Sequence, residues 1–290
     1  MFKGVYTAIV TPFKKGKIDF EALEKLIEFN LSGGVDGIVP CGTTGEAPTL
    51  DGEEYGKVVN FTVEKVKKRG KVIAGAGANS TAKSIENARI AKESGADAIL
   101  VVTPYYNKPT QKGLILHYEK IAGEVEIPLV IYNVPGRTGV NMLPETLEAL
   151  SKKKNIAGVK EASGSLTQIT EIRNRCPKPF SLLSGDDQLF LPTLSVGGDG
   201  IISVASNVIP REISSVYGLF TAGKNAEAKE LFSKIFPLTC ALFLETNPIP
   251  VKAALNIMGY IDDEYRLPLC RMGEENLKKL KKQMTDMKMI

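Results

Sequence analysis

Lys160 closes the run Ile156-Ala-Gly-Val-Lys160, four residues that read as a buried strand, with no polar stretch to account for the lysine. Other lysines cluster where water can reach them, as at Lys152, Lys153 and Lys154. A lysine just past a strand end can reach water along its own stem, and lysine is seldom fully buried. The other reading carries chemistry. An amine held in a water-poor interior is disfavoured as the ammonium, and the free amine can attack a ketone to form a Schiff base. The iminium draws electrons and permits a carbanion, as an enamine, on the neighbouring carbon. Proton traffic then has to pass through other groups. Tyr132 ends another apolar run, Ile127 to Tyr132. A lone phenol is a slow base at neutral pH, so hydroxyl partners are needed to pass the proton along. Thr43, Thr44, Tyr105 and Tyr106 are the candidates. Arg137, in an otherwise uncharged loop, offers a fork to a carboxylate. Plainer roles stand beside these: a tight turn for Gly42-Thr-Thr-Gly45, aromatic packing for one of the two tyrosines, and a surface salt bridge for Arg137. Together the residues suggest a small keto acid and a second partner that bears a carboxylate.

The elements that would position these groups can be read from one recurring junction. Ser32-Gly-Gly-Val-Asp36, Ser94-Gly-Ala-Asp97 and Ser195-Val-Gly-Gly-Asp199 each precede an apolar run. Each reads as a helix ending at glycine, a short turn with an aspartate, then a strand. With the runs at VYTAIVTP, KVIAGAG, IPLVIYNVP, IAGVKEAS and FSLLSGDD there are about eight strands, most separated by helical patterns such as DFEALEKLIEFNL. Strands that are apolar throughout and alternate with helices imply a parallel sheet covered on both faces. Eight such units fit an α/β fold, a (β/α)8 TIM barrel, with a C-terminal helical extension. The boundary falls near Gly223, giving a catalytic barrel over 1–223 and a helical domain over 224–290.

In a barrel the chemistry belongs to the loops after the strands. Those loops carry Thr43 and Thr44, Tyr105 and Tyr106, Tyr132 and Arg137, Lys160, and Gly185. Gly197, Gly198 and Gly200 precede their strand, lie at the opposite end, and are turn residues rather than a phosphate cradle. If Val159 faces the helices, alternation turns Lys160 into the barrel with Gly158 and Ile156, and Gly158 leaves room for substrate.

Composition narrows the function. The 290 residues are 43% hydrophobic and 24% charged, with a net charge of +4, and show no basic stripe that would suggest nucleic acid. Cys41, Cys176, Cys240 and Cys270 are scattered, which suggests reduced thiols in a cytoplasmic protein. Cys41, beside the site, is expected to be buried and inert. Neither a signal peptide nor a membrane span is expected. The single histidine, His117, lies in an amphipathic helical pattern and excludes a histidine-rich metal site; its expected role is packing or surface.

GTTGE at 42–46, PYYN at 104–107, YNVPGRTG at 132–139, GVKEASG at 158–164 and SGDD at 184–187 resemble the dihydrodipicolinate synthase family. GGDGIISVASN at 197–207 and ETNPIPVK at 245–252 extend the match over almost the whole chain. The resemblance implies condensation of pyruvate with L-aspartate 4-semialdehyde, on the diaminopimelate route to lysine, without metal or separate cofactor. It implies Lys160 as the Schiff-base lysine, Tyr132 as proton donor and acceptor, and Thr43 and Tyr106 as the relay, Tyr106 crossing a dimer interface. Thr44 and Ile202 would contact pyruvate, Gly185 would form the pocket wall, and Arg137 would hold the semialdehyde carboxylate. A homotetramer, built as a dimer of dimers, is implied. Asn79 and Tyr105 are compatible with the family's inhibitory lysine site, but Lys83 replaces a glutamate there, and Gly52 and Tyr55 replace histidines. Feedback inhibition by lysine is therefore expected to be weak or absent. Two rivals stand: another Schiff-base lyase acting on a sialic acid or 2-keto-3-deoxy sugar acid, and a non-catalytic barrel that binds metabolites.

Overall fold

The computed structural model describes residues 1–290. Its eight parallel strands are β1 (Gly4–Ala8), β2 (Gly37–Val39), β3 (Lys71–Gly75), β4 (Ala98–Val102), β5 (Leu129–Asn133), β6 (Ile156–Glu161), β7 (Ser181–Ser184) and β8 (Gly200–Ser203). They pair in chain order, and β8 returns to β1 to close the barrel. Helices α1 (Phe20–Ser32), α2 (Gly52–Val66), α3 (Thr81–Glu93), α4 (Gln111–Glu124), α5 (Pro144–Ser151), α6 (Leu166–Arg175), α7 (Phe190–Ser195) and α8 (Pro210–Thr221) surround it. Three more follow Gly223: α9 (Asn225–Ala241), α10 (Ile249–Ile257) and α11 (Glu274–Asp286). All eight expected strands are present. A small hairpin in the first βα loop, Phe13–Lys14 against Lys17–Ile18, was not foreseen.

The apolar residues sort into two layers because successive strand residues face opposite ways. Outward residues such as Val5, Ile38, Ile99, Ile131 and Val159 join the helices in one large core. Inward residues such as Tyr6, Val39, Ile73, Leu100, Val130, Leu183 and Ile202 fill the barrel itself. Alternation fails at one point. The β5–β6 register runs Leu129 to Ile156 and then Val130 to Gly158, so Ala157 is an extra residue. A bulge of this kind shifts the facing of everything before it. Ile156 therefore packs with the helices, not inside with Lys160 as strict alternation predicted, and Ala157 meets the inner cluster instead. Gly158 also differs from expectation. A Cβ there would lie 2.5 Å from the Ser181 carbonyl oxygen, so its missing side chain admits the neighbouring strand rather than substrate.

The recurring junction has a common physical basis. Gly34, Gly95 and Gly197 adopt φ of +87°, +84° and +95°, the left-handed turn that ends each preceding helix. The following aspartates then turn back to the strand before. The carboxylates of Asp36, Asp97 and Asp199 accept from the backbone N–H groups of Val5, Val72 and Leu182 at 2.8, 2.9 and 2.9 Å. Each ties two adjacent strands at the end of the barrel remote from the candidate site. The triglycine region at 197–200 is turn chemistry, as expected.

Candidate active site

Lys160 and Tyr132 are opposite one another in the β5–β6 register. Both are nearly buried, at 5% and 7% exposure, and Lys160 Nζ lies 4.2 Å from the centre of the Tyr132 ring. A face-on ring attracts a cation only modestly. No carboxylate lies within ion-pair distance of this lysine, although nineteen other such contacts occur in the chain. Gly185 allows that placement. A Cβ on it would come within 3.0 Å of the Lys160 Cγ and Cε and 2.8 Å of the Ala162 Cβ, so any larger residue would push the lysine stem aside.

A cavity of about 240 Å³ opens over Lys160, and six of the eight predicted site residues line it: Thr43, Thr44, Tyr132, Arg137, Lys160 and Gly185. The other two do not. Ile202 stays below, in the barrel core, where Val204 takes its expected place in the lining. Tyr106 points off the molecule, 89% exposed, with φ of +71°. An adjoining cavity of about 460 Å³ shares Thr43, Tyr132 and Arg137 and continues to Tyr55, Lys83 and Tyr105. Lys83 is bonded to Glu86 at 3.0 Å.

Several residues that support this arrangement escaped the sequence reading. Asp187, the second aspartate of SGDD, is buried; it accepts from the Ser203 hydroxyl and from the N–H groups of Val204 and Ala205, pinning the loop after β8. Burial pushes its carboxyl up. Glu161 and Asn133, one step beyond Lys160 and Tyr132, face outward and bond to each other at 3.0 Å. Ser163 N–H, at 2.8 Å, and Gln168 also donate to Glu161. This buried carboxyl too is raised by desolvation. Adjacent strand ends are thereby fixed behind the lysine and the tyrosine. The doubled polar ending, Tyr-Asn on β5 and Lys-Glu on β6, was the available signal.

The helical segment after Gly223 reaches over the same mouth. Asn247 donates from its side-chain amide to the Thr44 hydroxyl at 3.0 Å, and its backbone carbonyl accepts from Arg137 at 3.2 Å. Lys252 on α10 is fully buried against Glu46 at 2.5 Å, with the rings of Phe13 and Tyr265 at 4.5 and 5.0 Å. Burial lowers its amine although Glu46 opposes that shift. Of the cysteines, Cys41 and Cys176 are buried, Cys240 is partly buried and Cys270 is exposed; none is in a disulfide. Burial pushes the Cys41 thiol up, away from the reactive thiolate. His117 is buried and meets the Thr81 hydroxyl through Nδ1 at 2.9 Å, a packing role as expected. No group of three or more His, Cys, Asp or Glu side chains could hold a metal ion. No helix is long and apolar enough to cross a membrane.

A closed parallel barrel with an interior amine that no carboxylate holds is the layout of a lyase working through covalent amine chemistry. The family model described as the dihydrodipicolinate synthetase family matches residues 1–287, and the chain belongs to that family. It is 53% identical over 290 residues to a 4-hydroxy-tetrahydrodipicolinate synthase of Syntrophus aciditrophicus, with both chains covered in full. Among solved structures, the Acinetobacter baumannii dihydrodipicolinate synthase complexed with pyruvate superposes with a TM-score of 0.98 at 44% identity, covering 100% of both chains. The Cyanidioschyzon merolae enzyme with lysine bound gives 0.97 at 40% identity, covering 100% of this chain and 99% of that one.

Proposed function

We propose that the chain acts as a 4-hydroxy-tetrahydrodipicolinate synthase, condensing pyruvate with L-aspartate 4-semialdehyde. The Lys160 amine attacks the pyruvate ketone, water leaves, and the resulting iminium loses a methyl proton to become an enamine. That carbon attacks the aldehyde, whose oxygen takes up a proton. The semialdehyde's own amine then adds to the iminium carbon and displaces Lys160, closing the ring and freeing the enzyme. Tyr132 donates and accepts the protons, with Thr43 and a partner subunit's tyrosine equivalent to Tyr106 as relay. Thr44 and the backbone near Ile202 hold pyruvate, Gly185 shapes the wall, and Arg137 at the mouth takes the semialdehyde carboxylate. The single observation that carries this reading is the buried, unpaired Lys160 amine over the Tyr132 ring. No metal or separate cofactor enters it, because the iminium itself is the electron sink.

The exposure of Tyr106, held at a positive φ that costs a bulky residue of order 1–3 kcal/mol, supports its use by a second subunit and a homotetrameric assembly. A cytoplasmic location accords with the free cysteines. The division at Gly223 is one of labour: the barrel over 1–223 holds the reacting groups, and residues 224–290 brace its mouth. In the larger cavity the acidic groups Glu46 and Asp51 are already engaged, by Lys252 and by the first turn of α2, and Lys83, itself paired with Glu86, offers no acceptor to an ammonium. L-lysine should therefore inhibit weakly or not at all, and inhibition of pyruvate turnover at physiological lysine would refute that. The main test is borohydride reduction in the presence of pyruvate, with mass spectrometry to locate the adduct. Modification of Lys160 is expected, together with ring formation when the semialdehyde is supplied. Cleavage of sugar acids without ring formation would overturn the assignment.

A further inference from the structure

Glu161 is a fully buried carboxyl that takes no part in the reaction proposed above, and no ion pair in the chain includes it. A buried charge without a cation is costly, and the preceding outward positions on these strands, Ile131 and Val159, are apolar. What Glu161 holds accounts for its presence. The Asn133 amide donates to both of its oxygens, at 3.2 and 3.0 Å, while Ser163 N–H and the Gln168 amide donate to Oε1. Asn133 is itself fixed: its Oδ1 accepts from Met142 N–H at 2.9 Å, and its Nδ2 also donates to Asn141 Oδ1 at 2.8 Å. Because a carboxylate only accepts and this amide cannot turn over without losing its own bonds, the tie between β5 and β6 forms in one way. Asn133 and Glu161 are opposite in the register, one residue beyond Tyr132 and Lys160. Alternation puts the tie behind the strands and the reacting pair in front. No hydrogen bond or ion pair within the chain holds Lys160 Nζ, 4.2 Å from the Tyr132 ring centre, so the strand ends set their separation.

We infer that Glu161 and Asn133 are positioning residues, a latch across the ends of β5 and β6 that sets the spacing of Lys160 and Tyr132 for proton transfer. The inference rests on the function proposed above and adds that its two reacting groups depend on a buried pair that does not react. The most sensitive step is loss of a methyl proton from the pyruvate iminium. There the C–H bond breaks, the proton goes to Tyr132 as its own passes to the relay, and the electron pair stays as the enamine. Misplacing reacting groups by about 1 Å can slow such a step on the order of 100-fold.

The test follows exchange of the pyruvate methyl protons for deuterium by NMR, which reports enamine formation without the second substrate. Glu161→Gln keeps the size and the acceptor that faces Ser163 but sets a donor against Asn133. It should slow exchange at saturating pyruvate about 10- to 100-fold, with little change in the half-saturating concentration. Asn133→Asp should be slowed at least as much, since two carboxylates then meet. Combining the two substitutions restores one donor and one acceptor with the polarity reversed, and should recover about 10-fold. Circular dichroism and urea unfolding verify the fold of each variant. Wild-type exchange in folded Glu161→Gln, a change in half-saturation alone, or a folded double variant no faster than the singles overturns the inference. If neither single variant folds, the double variant must exchange within about 10-fold of wild type. A slower double variant, or loss of the fold in all three, makes the pair structural and overturns the inference as well. Failure of the wild-type enzyme to exchange these protons or to trap pyruvate on Lys160 would instead overturn the function on which it rests.

Discussion

Two buried lysines in this chain are treated in opposite ways. Lys252 is sealed against Glu46 and flanked by two aromatic rings, so its charge is answered on the spot and the pair serves as a cross-link between the helical extension and the Thr43–Glu46 loop. Lys160 is almost as deeply buried, yet it has only the face of Tyr132 and opens onto a cavity. A carboxylate would hold Lys160 as an ammonium and end its use as a nucleophile. What distinguishes reactant from rivet is the partner, not the burial.

Removing each amine should separate these roles. The largest effect is expected from Lys160→Ala, which should reduce turnover by ~10³-fold or more while leaving a folded barrel, since no ion pair is broken. Steady-state assay with circular dichroism tests this, and retained activity would dismiss Lys160 as the nucleophile. Lys252→Met should instead be costly in stability, about 3–5 kcal/mol, because the buried Glu46 loses its cation and keeps only the Arg266 backbone N–H. Adding Glu46→Gln should recover most of that loss in urea unfolding; if the single and double variants unfold alike, the pair is not a cross-link. His117 tests a third buried titratable group, which burial pulls down from 6.5 to about 4. Between these values the unfolded chain binds a proton that the folded chain does not. The stability is therefore full above pH 6.5 and falls as pH drops towards 4, by at most about 3 kcal/mol. The difference in urea midpoint between pH 7 and pH 5 should shrink in His117→Gln.

The two ends of the barrel were unequally legible. The glycine–aspartate junctions could be recognised because the glycine's role is local, a positive φ that ends each helix, whereas the bond from each aspartate to the strand before it came only with the fold. Lys160, Tyr132 and Gly185 could be assigned to one face because strand ends in a barrel converge. Ile156 and Gly158 were misread because a single extra residue, Ala157, changes facing without leaving a mark in the hydrophobic pattern. Asp187 was hidden beside Asp186: two adjacent carboxylates look alike until the fold buries one of them.

The sequence by itself determined the alternation of strands and helices, the turns that punctuate them, and which loops carry the reactive side chains. These depend on periodicity and on residues close together in the chain. Only the tertiary structure decided that Lys160 lacks a carboxylate, that Lys252 has one 206 positions away, and that Asn247 joins Thr44 to Arg137. Such pairings arise when the chain closes on itself, and spacing along the chain carries no record of them.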